Sequence, residues 1–272
     1  MVLAPAVSAL VAFSLYAGSR QPTLRDKVTL KYLPTVGETY KYRMTTSTAI
    51  ETLTSPGAPM PKVGSQTVAD MDMKIVSRNG TVTTIKSRMS NVKSTVKGGS
   101  PMAAMTSQMG KFMEGKAVQS KIDSSYRLKS AKGTPLGSIL GNTVGIFFPD
   151  HPVAAGETWR SSVDLGAIMG MGVSYTAPEA TTKGSIPMMF KLVKISSQGG
   201  KHIAAIHLSI KGDVTIDMKG ASMEVHMSGL GDIQIDLATG VTVSSKTSLD
   251  IKTEAGVMKM TMHIKQTMEM RN

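Results

Sequence analysis

From residue 257 to residue 270 the chain alternates strictly between two kinds of side chain. Met258, Met260, Met262, Ile264, Gln266, Met268 and Met270 fall on one phase, and Lys259, Thr261, His263, Lys265, Thr267 and Glu269 fall on the other. Helical side chains return to one face every 3.6 residues, so a period of two sustained over this length requires an extended strand. One face of that strand is wet and the other is apolar. The apolar face is built mostly of methionine, an unbranched and polarisable side chain that adapts its shape to what it touches.

The same alternation recurs along the chain. Tyr40, Tyr42, Met44 and Ile50 oppose Lys41, Arg43 and Glu51, and Ala69, Met71, Met73 and Ile75 oppose Asp70, Asp72 and Lys74. An Asn79-Gly80 pair then predicts a tight hairpin into the strand at 81–89. Further apolar phases follow at Ala204, Ile206, Leu208 and Ile210, at Met223, Val225 and Met227, and at Ile233, Ile235 and Leu237. One-sided alternation of this kind belongs to antiparallel sheet with a solvated face, since parallel sheets bury both faces and give continuous apolar runs. The expected fold is mainly β: antiparallel, in two related halves, forming a curved sheet, half-barrel or sandwich. One or two short helices are expected within it. Residues 101–113 carry Met102, Met105, Met109, Phe112 and Met113 at helical spacing behind Ser100-Pro101, and 136–140 form a second short turn. Residues 54–63 and 177–187 are rich in Pro, Gly, Ser and Thr and read as loops.

A short motif occurs twice. Gly37-Glu38-Thr39-Tyr40 and Gly156-Glu157-Thr158-Trp159 each follow a proline by a few residues and launch an alternating segment. Glycine there supplies a turn conformation barred to other residues, and the aromatic anchors the strand. The spacing divides the chain into a first β half at 20–146 and a second, meandering half at 147–272.

Residues 1–19 carry no charged side chain, include the run Leu10-Val11-Ala12-Phe13, and end in the small residues Ala17, Gly18 and Ser19 before Arg20. This pattern resembles a secretory signal without a basic leading region and predicts export to the periplasm or beyond. The chain has no cysteine, which excludes disulfides, zinc–thiolate sites, cysteine nucleophiles and thioether lipidation. Lys and Arg number 31 against 19 Asp and Glu, a formal charge of +12. Such a balance permits attraction to an anionic envelope surface. The cations are spread over polar strand phases and aromatics make up only 4% of the chain, so no stacking platform for nucleic acid is expected. The same scarcity removes the aromatic girdles of an outer-membrane barrel.

The segments at 148–159, with Phe148-Pro149, Pro152-Val153 and Gly156-Glu157-Thr158-Trp159, and at 229–240, with Gly229, Gly231 and Asp236-Leu237-Ala238-Thr239-Gly240, resemble an uncharacterised family of exported bacterial β-rich proteins, many of them lipoproteins. The layout is also similar to half-barrel carriers that ferry lipoproteins or lipids across the periplasm. The motifs of the first are structural turns with no known chemistry, and the second, a likeness of layout, implies a carrier role. Neither brings a reacting residue, and this chain lacks the lipoprotein cysteine.

The residues themselves carry no catalytic motif. None of the five histidines forms a His-Glu-x-x-His pair, and no nucleophile elbow, phosphate loop or dinucleotide fingerprint is present. No enzyme activity and no cofactor are expected. Thioethers select Cu(I), and Met-x-Met pairs such as Met71/Met73 raise a copper site as a third possibility. Strand phase argues against it, because His226 and His263 fall opposite the methionine faces. Asp70 and Asp72 share a face that could meet a calcium ion, although solvation alone accounts for them. The leading expectation is an apolar ligand, a lipid or lipidated peptide, held by Met102, Met105, Met109, Met258, Met260, Met262 and Met268. The alternative is a structural or envelope-interaction protein that uses its basic surface and takes no small ligand. The plainest account of the methionines is a filled core.

Overall fold

The computed structural model describes residues 27–55, 58–59, 63–97, 114–132, 147–164, 181–218, 221–256 and 258–271. Among these residues no helix occurs, and the helical segments expected at 101–113 and 136–140 lie outside them.

Thirteen strands form one antiparallel sheet: β1 (Thr39–Ser55), β2 (Ala58–Pro59), β3 (Val63–Asn79), β4 (Val82–Lys97), β5 (Ala117–Asp123), β6 (Leu128–Lys132), β7 (Thr158–Asp164), β8 (Thr181–Lys183), β9 (Ser185–Gln198), β10 (Lys201–Met218), β11 (Ala221–Asp236), β12 (Thr242–Ala255) and β13 (Met258–Arg271). The order across the sheet is β6-β5-β4-β3-β1-β13-β12-β11-β10-β9-β7, with β2 beside β1 and β8 beside β10. The sheet curves around its core without closing, so β6 and β7 are its edges. The first and last long strands pair along nearly their whole length, from Lys41 opposite Arg271 to Thr54 opposite Lys259. Two meanders therefore run outward from a central β1/β13 seam.

Two stretches read as loops contain strand. Residues 58–59 pair with Thr54 and Ser55, and residues 181–183 pair with 215–217 before β9 begins at Ser185. Their polar, Pro-bearing composition disguises them because short strands added to a neighbour draw on its backbone groups more than on their own side chains. The Asn79-Gly80 hairpin forms as its sequence predicts, with Gly80 at a φ of +58°.

The repeated motif takes one geometry in both places. Gly37 and Gly156 have φ of +93° and +92°. Each donates its N–H to a carbonyl on the strand beside the one it launches, Gly37 to Ile75 at 2.9 Å and Gly156 to Leu192 at 2.6 Å. Those same residues donate back to the carbonyls of Glu38 and Glu157. The aromatic then enters the sheet: Trp159 stands opposite Phe190, their rings stacked at 5.5 Å, and its indole N–H donates to the Phe147 carbonyl at 2.6 Å.

One end of the curved sheet is closed. Residues 27–36 cross it, with Val28 and Val153 exchanging two backbone hydrogen bonds, Tyr32 N–H donating to Ser124 and Leu33 N–H to Thr239. Beneath this crossing Tyr32, Tyr126 and Phe148 pack edge to face at 4.6 and 5.7 Å. Tyr42 reaches across from β1 to donate its hydroxyl proton to the Thr242 carbonyl at 3.0 Å.

Candidate ligand-binding face

Residues directly opposite one another in an antiparallel ladder share a face, so the registers assign every strand position to the concave or the convex side. On β13 the concave side receives Met260, Met262, Ile264, Gln266, Met268 and Met270, which meet Leu53, Ile50, Thr48, Thr46, Met44 and Tyr42 across the seam. The sequence phase of β13 is thus realised residue for residue. Among the described strand residues, the charged side chains of the ladders stand on the convex phase except near two strand ends, where Arg78 lies opposite Thr83 and His202 opposite Ser197 on the concave phase.

Burial along that face is uneven. On β9 and β10 it is dry, with Phe190, Leu192, Ala204 and Leu208 fully buried. Along β13 every inward side chain from Met260 to Met270 is only half-buried, although Met262, Ile264, Met268 and Met270 touch the core. Half-burial continues over Thr46, Thr48 and Ile50 of β1 and Ser65 and Thr67 of β3. The core is packed at β9 and β10 and again at Met73, Ile75, Ile85 and Ile122 of the other meander, and it is thinner in front of the seam from Thr46 to Ile50.

Of the expected ligand-binding residues, Met260, Met262 and Met268 lie together on this half-buried stretch. Met258 begins the same strand opposite Ala255, and its side chain is not among those described. Met102, Met105 and Met109 lie outside the described residues. Sequence reasoning did not single out Thr46, Thr67, Ser94 and Thr247, which fall beside Gln266. Each is one hydroxyl in an apolar phase, and nothing in a single strand marks it.

His207, His226 and His263 stand on the convex face, and each pairs with the aspartate directly opposite. His207 Nδ1 lies 2.9 Å from Asp232 Oδ1, His226 Nδ1 2.7 Å from Asp213 Oδ1, and His263 Nδ1 2.5 Å from Asp250 Oδ1. His263 Nε2 also faces Glu51 at 3.2 Å. The Asp213 contact raises the His226 pKa above the ordinary imidazole range, and the Asp250 contact does the same for His263, in each case against partial desolvation. The β13 methionines and these three histidines are therefore on opposite sides of the sheet and cannot share a mixed Met/His copper site. Among the described residues no group of three His, Asp or Glu side chains is placed to hold a metal ion. Asp70 is engaged by Asn91 Nδ2 at 2.9 Å and by Arg271 at 3.2 Å, which pins it as a convex-face ion pair.

Convex charge is unequally divided. On the β3 to β6 side Lys74 stands directly opposite Lys86, whose next neighbour Gln119 faces Lys132. Like charges placed opposite each other weaken a sheet. On the β10 to β13 side Asp232 lies between His207 and Lys246, and Glu224 stands opposite Glu254. A shallow depression there is edged by Val193, Asp232, Gln234, Lys246, Thr267 and Glu269 and has no convergent chemistry.

No family model matches this chain, and no curated protein matches it. Among solved structures it is similar to an outer membrane channel from Pseudomonas putida F1, at 9% identity and a TM-score of 0.32, covering 89% of this chain and 98% of that one. It is also similar to DynF from the dynemicin biosynthesis pathway of Micromonospora chersina, at 8% identity and a TM-score of 0.22, covering 98% and 92%. Likenesses this distant carry no functional argument. The face distribution is the reverse of a membrane-spanning barrel, whose outer band is apolar and whose lumen is polar. No described helix is long and apolar enough to cross a membrane.

Proposed function

We propose that this chain is a non-catalytic, exported binding or carrier protein that holds an apolar ligand, a lipid or lipidated peptide, against the concave side of the β1/β13 seam. One observation carries the reading: the concave side of the β1/β13 seam is free of charged side chains, and its methionines on β13 are half-buried where those of a filled core would be dry. Thioether side chains in such a position can repack around acyl chains of different length. A closed aromatic end and a thinner middle give a cup with a floor. The resemblance to exported β-rich proteins and to half-barrel carriers agrees with this role.

Native mass spectrometry of the purified protein, followed by solvent extraction and lipid analysis, tests it. A stoichiometric apolar adduct is the expected result. A clean unliganded mass that takes up no added fatty acid, acylglycerol or phospholipid would reduce the methionine face to core.

A second reading rests on the convex face. The Lys74/Lys86 opposition and the neighbouring Lys132 favour contact with an anionic envelope surface. On that reading Lys74→Glu strengthens the sheet by about 0.2–1 kcal/mol, through a favourable pair with Lys86, and weakens retention on anionic vesicles. Unchanged vesicle retention at low salt would set the surface role aside.

A further inference from the structure

Five strands contribute one polar side chain each to a single row across the concave face. Thr247 of β12 is opposite Gln266 of β13, Gln266 is opposite Thr46 of β1, Thr46 is opposite Thr67 of β3, and Thr67 is opposite Ser94 of β4. Strands are about 4.8 Å apart, so the row extends roughly 19 Å across the strands. On one side along the strands it is bordered by Leu249 and Ile264 of β12 and β13 and by Thr48 and Ser65 of β1 and β3, and on the other by Ser245, Met268, Met44 and Ala69. Thr67 and Ser94 satisfy each other at 3.0 Å between their hydroxyl oxygens. The Gln266 carboxamide and the Thr46 and Thr247 hydroxyls have no hydrogen-bond partner among the described residues. Gln266 and Thr46 are half-buried. Gly231 completes the row beyond Thr247, and a Cβ there would sit 3.3 Å from the threonine hydroxyl oxygen, so glycine leaves that hydroxyl uncrowded.

Polar side chains on a core-facing surface pair with protein groups or with water, and Gln266 and Thr46, being only half-buried, keep contact with water that the polar atoms of a ligand would replace. On β12 and β13 the unpaired Thr247 and Gln266 lie between Leu249 and Ile264 on one side and Met268 on the other, which suits a ligand with polar atoms at mid-length and hydrocarbon on either side. Among the described residues the concave positions bordering the row carry no charged side chain, and this fixes the sign. No cation is placed to hold a carboxylate or phosphate, and an anion brought here would lose its hydration without compensation. Amide and hydroxyl donors suit neutral carbonyl oxygens, and threonine oxygens can accept from a ligand hydroxyl. A band spanning several strands has room for more than one such group.

We infer that the row Thr46, Thr67, Ser94, Thr247 and Gln266 is the polar contact line for a neutral acyl ester of the acylglycerol kind, with its chains on Leu249 and Ile264 to one side and on Met268 and Met44 to the other. The assignment rests on the carrier reading above and specifies which ligand that carrier takes.

Three probes of matched chain length separate the possibilities in displacement of a fluorescent apolar dye from the full chain: monooleoylglycerol, oleate at pH 8.5, and octadecene. The expected order is monooleoylglycerol tightest, by about tenfold or more over oleate, with octadecene detectable but weaker. The nearly isosteric pair Thr46→Val with Gln266→Met should weaken the ester about tenfold and leave octadecene within twofold. Oleate binding as tightly as the ester overturns the inference, as does equal loss of ester and hydrocarbon in the double variant. Either result leaves the carrier reading standing. Failure of all three probes to bind removes both.

Discussion

Tyr32 buries a phenolic hydroxyl for which no partner exists among the described residues, and burial pushes its pKa far above the ordinary tyrosine range. Its ring closes the end of the sheet against Tyr126, so ring and hydroxyl pull in opposite directions. Tyr32→Phe keeps the packing and removes the orphaned group. It should leave the protein as stable or up to about 1 kcal/mol more stable in urea melts, and a clear loss of stability would reveal a partner for the hydroxyl. Gly240 is the opposite case. Its φ is +67°, its N–H donates to the Asp236 carbonyl, and a Cβ there would strike the Lys31 carbonyl. Gly240→Ala should therefore cost more than about 2 kcal/mol, whereas Gly37→Ala, with open space around its Cβ, should cost only the backbone strain of about 1–2 kcal/mol. Comparing the two midpoints separates collision from strain. The glycine of each turn was legible in sequence. The collision was not, because the alternation of Leu30, Tyr32 and Pro34 with exposed Thr29, Lys31 and Leu33 says nothing of which turn the segment crosses.

Single strands announced their faces, and pairs of strands created what the sequence could not announce. The even phase of β13 could be read because each residue there obeys one rule. The polar row needed four registers at once, and bulges intervene between Ile50 and Thr52, between Val68 and Asp70 and between Ile75 and Ser77, each shifting the alignment. His226 and His263 follow the same logic. Each was seen on the wet phase, but its aspartate became visible only across the ladder. His263 illustrates the consequence for pH. Asp250 from β12 and Glu51 from β1 raise its folded pKa above the unfolded value of about 6.5. The imidazolium therefore adds stability that is fully present below that unfolded pKa and is lost as pH rises through the raised folded pKa. Melts of the wild type and of His263→Gln should differ most near pH 5 and converge above the folded pKa. A gap that widens as pH rises would mean that the neutral ring is the form the site prefers.

At the scale of the molecule, the segment at 27–36 connects parts of the sheet that its strand order keeps apart. It bonds to Val153 ahead of β7, to Ser124 in the β5–β6 turn and to Thr239 in the β11–β12 turn, so it touches both meanders. Leu30, fully buried among the core residues of that end, is its anchor. Loss of its side chain leaves a cavity under both flanks, and Leu30→Ala should cost about 2–5 kcal/mol. Because the crossing ties the flanks and the β1/β13 seam runs between them, that loss should appear as one cooperative transition moved to lower denaturant with an unchanged slope. The alternative has a distinct signature. If the meander from β9 to β12 holds its own core, the variant would melt in two steps, with amide exchange in Ile206 and Leu208 slow after Tyr42 and Met44 have opened. Two steps would make the halves independent folding units joined only at the seam, whereas one step makes the floor of the cup and the seam parts of a single structure.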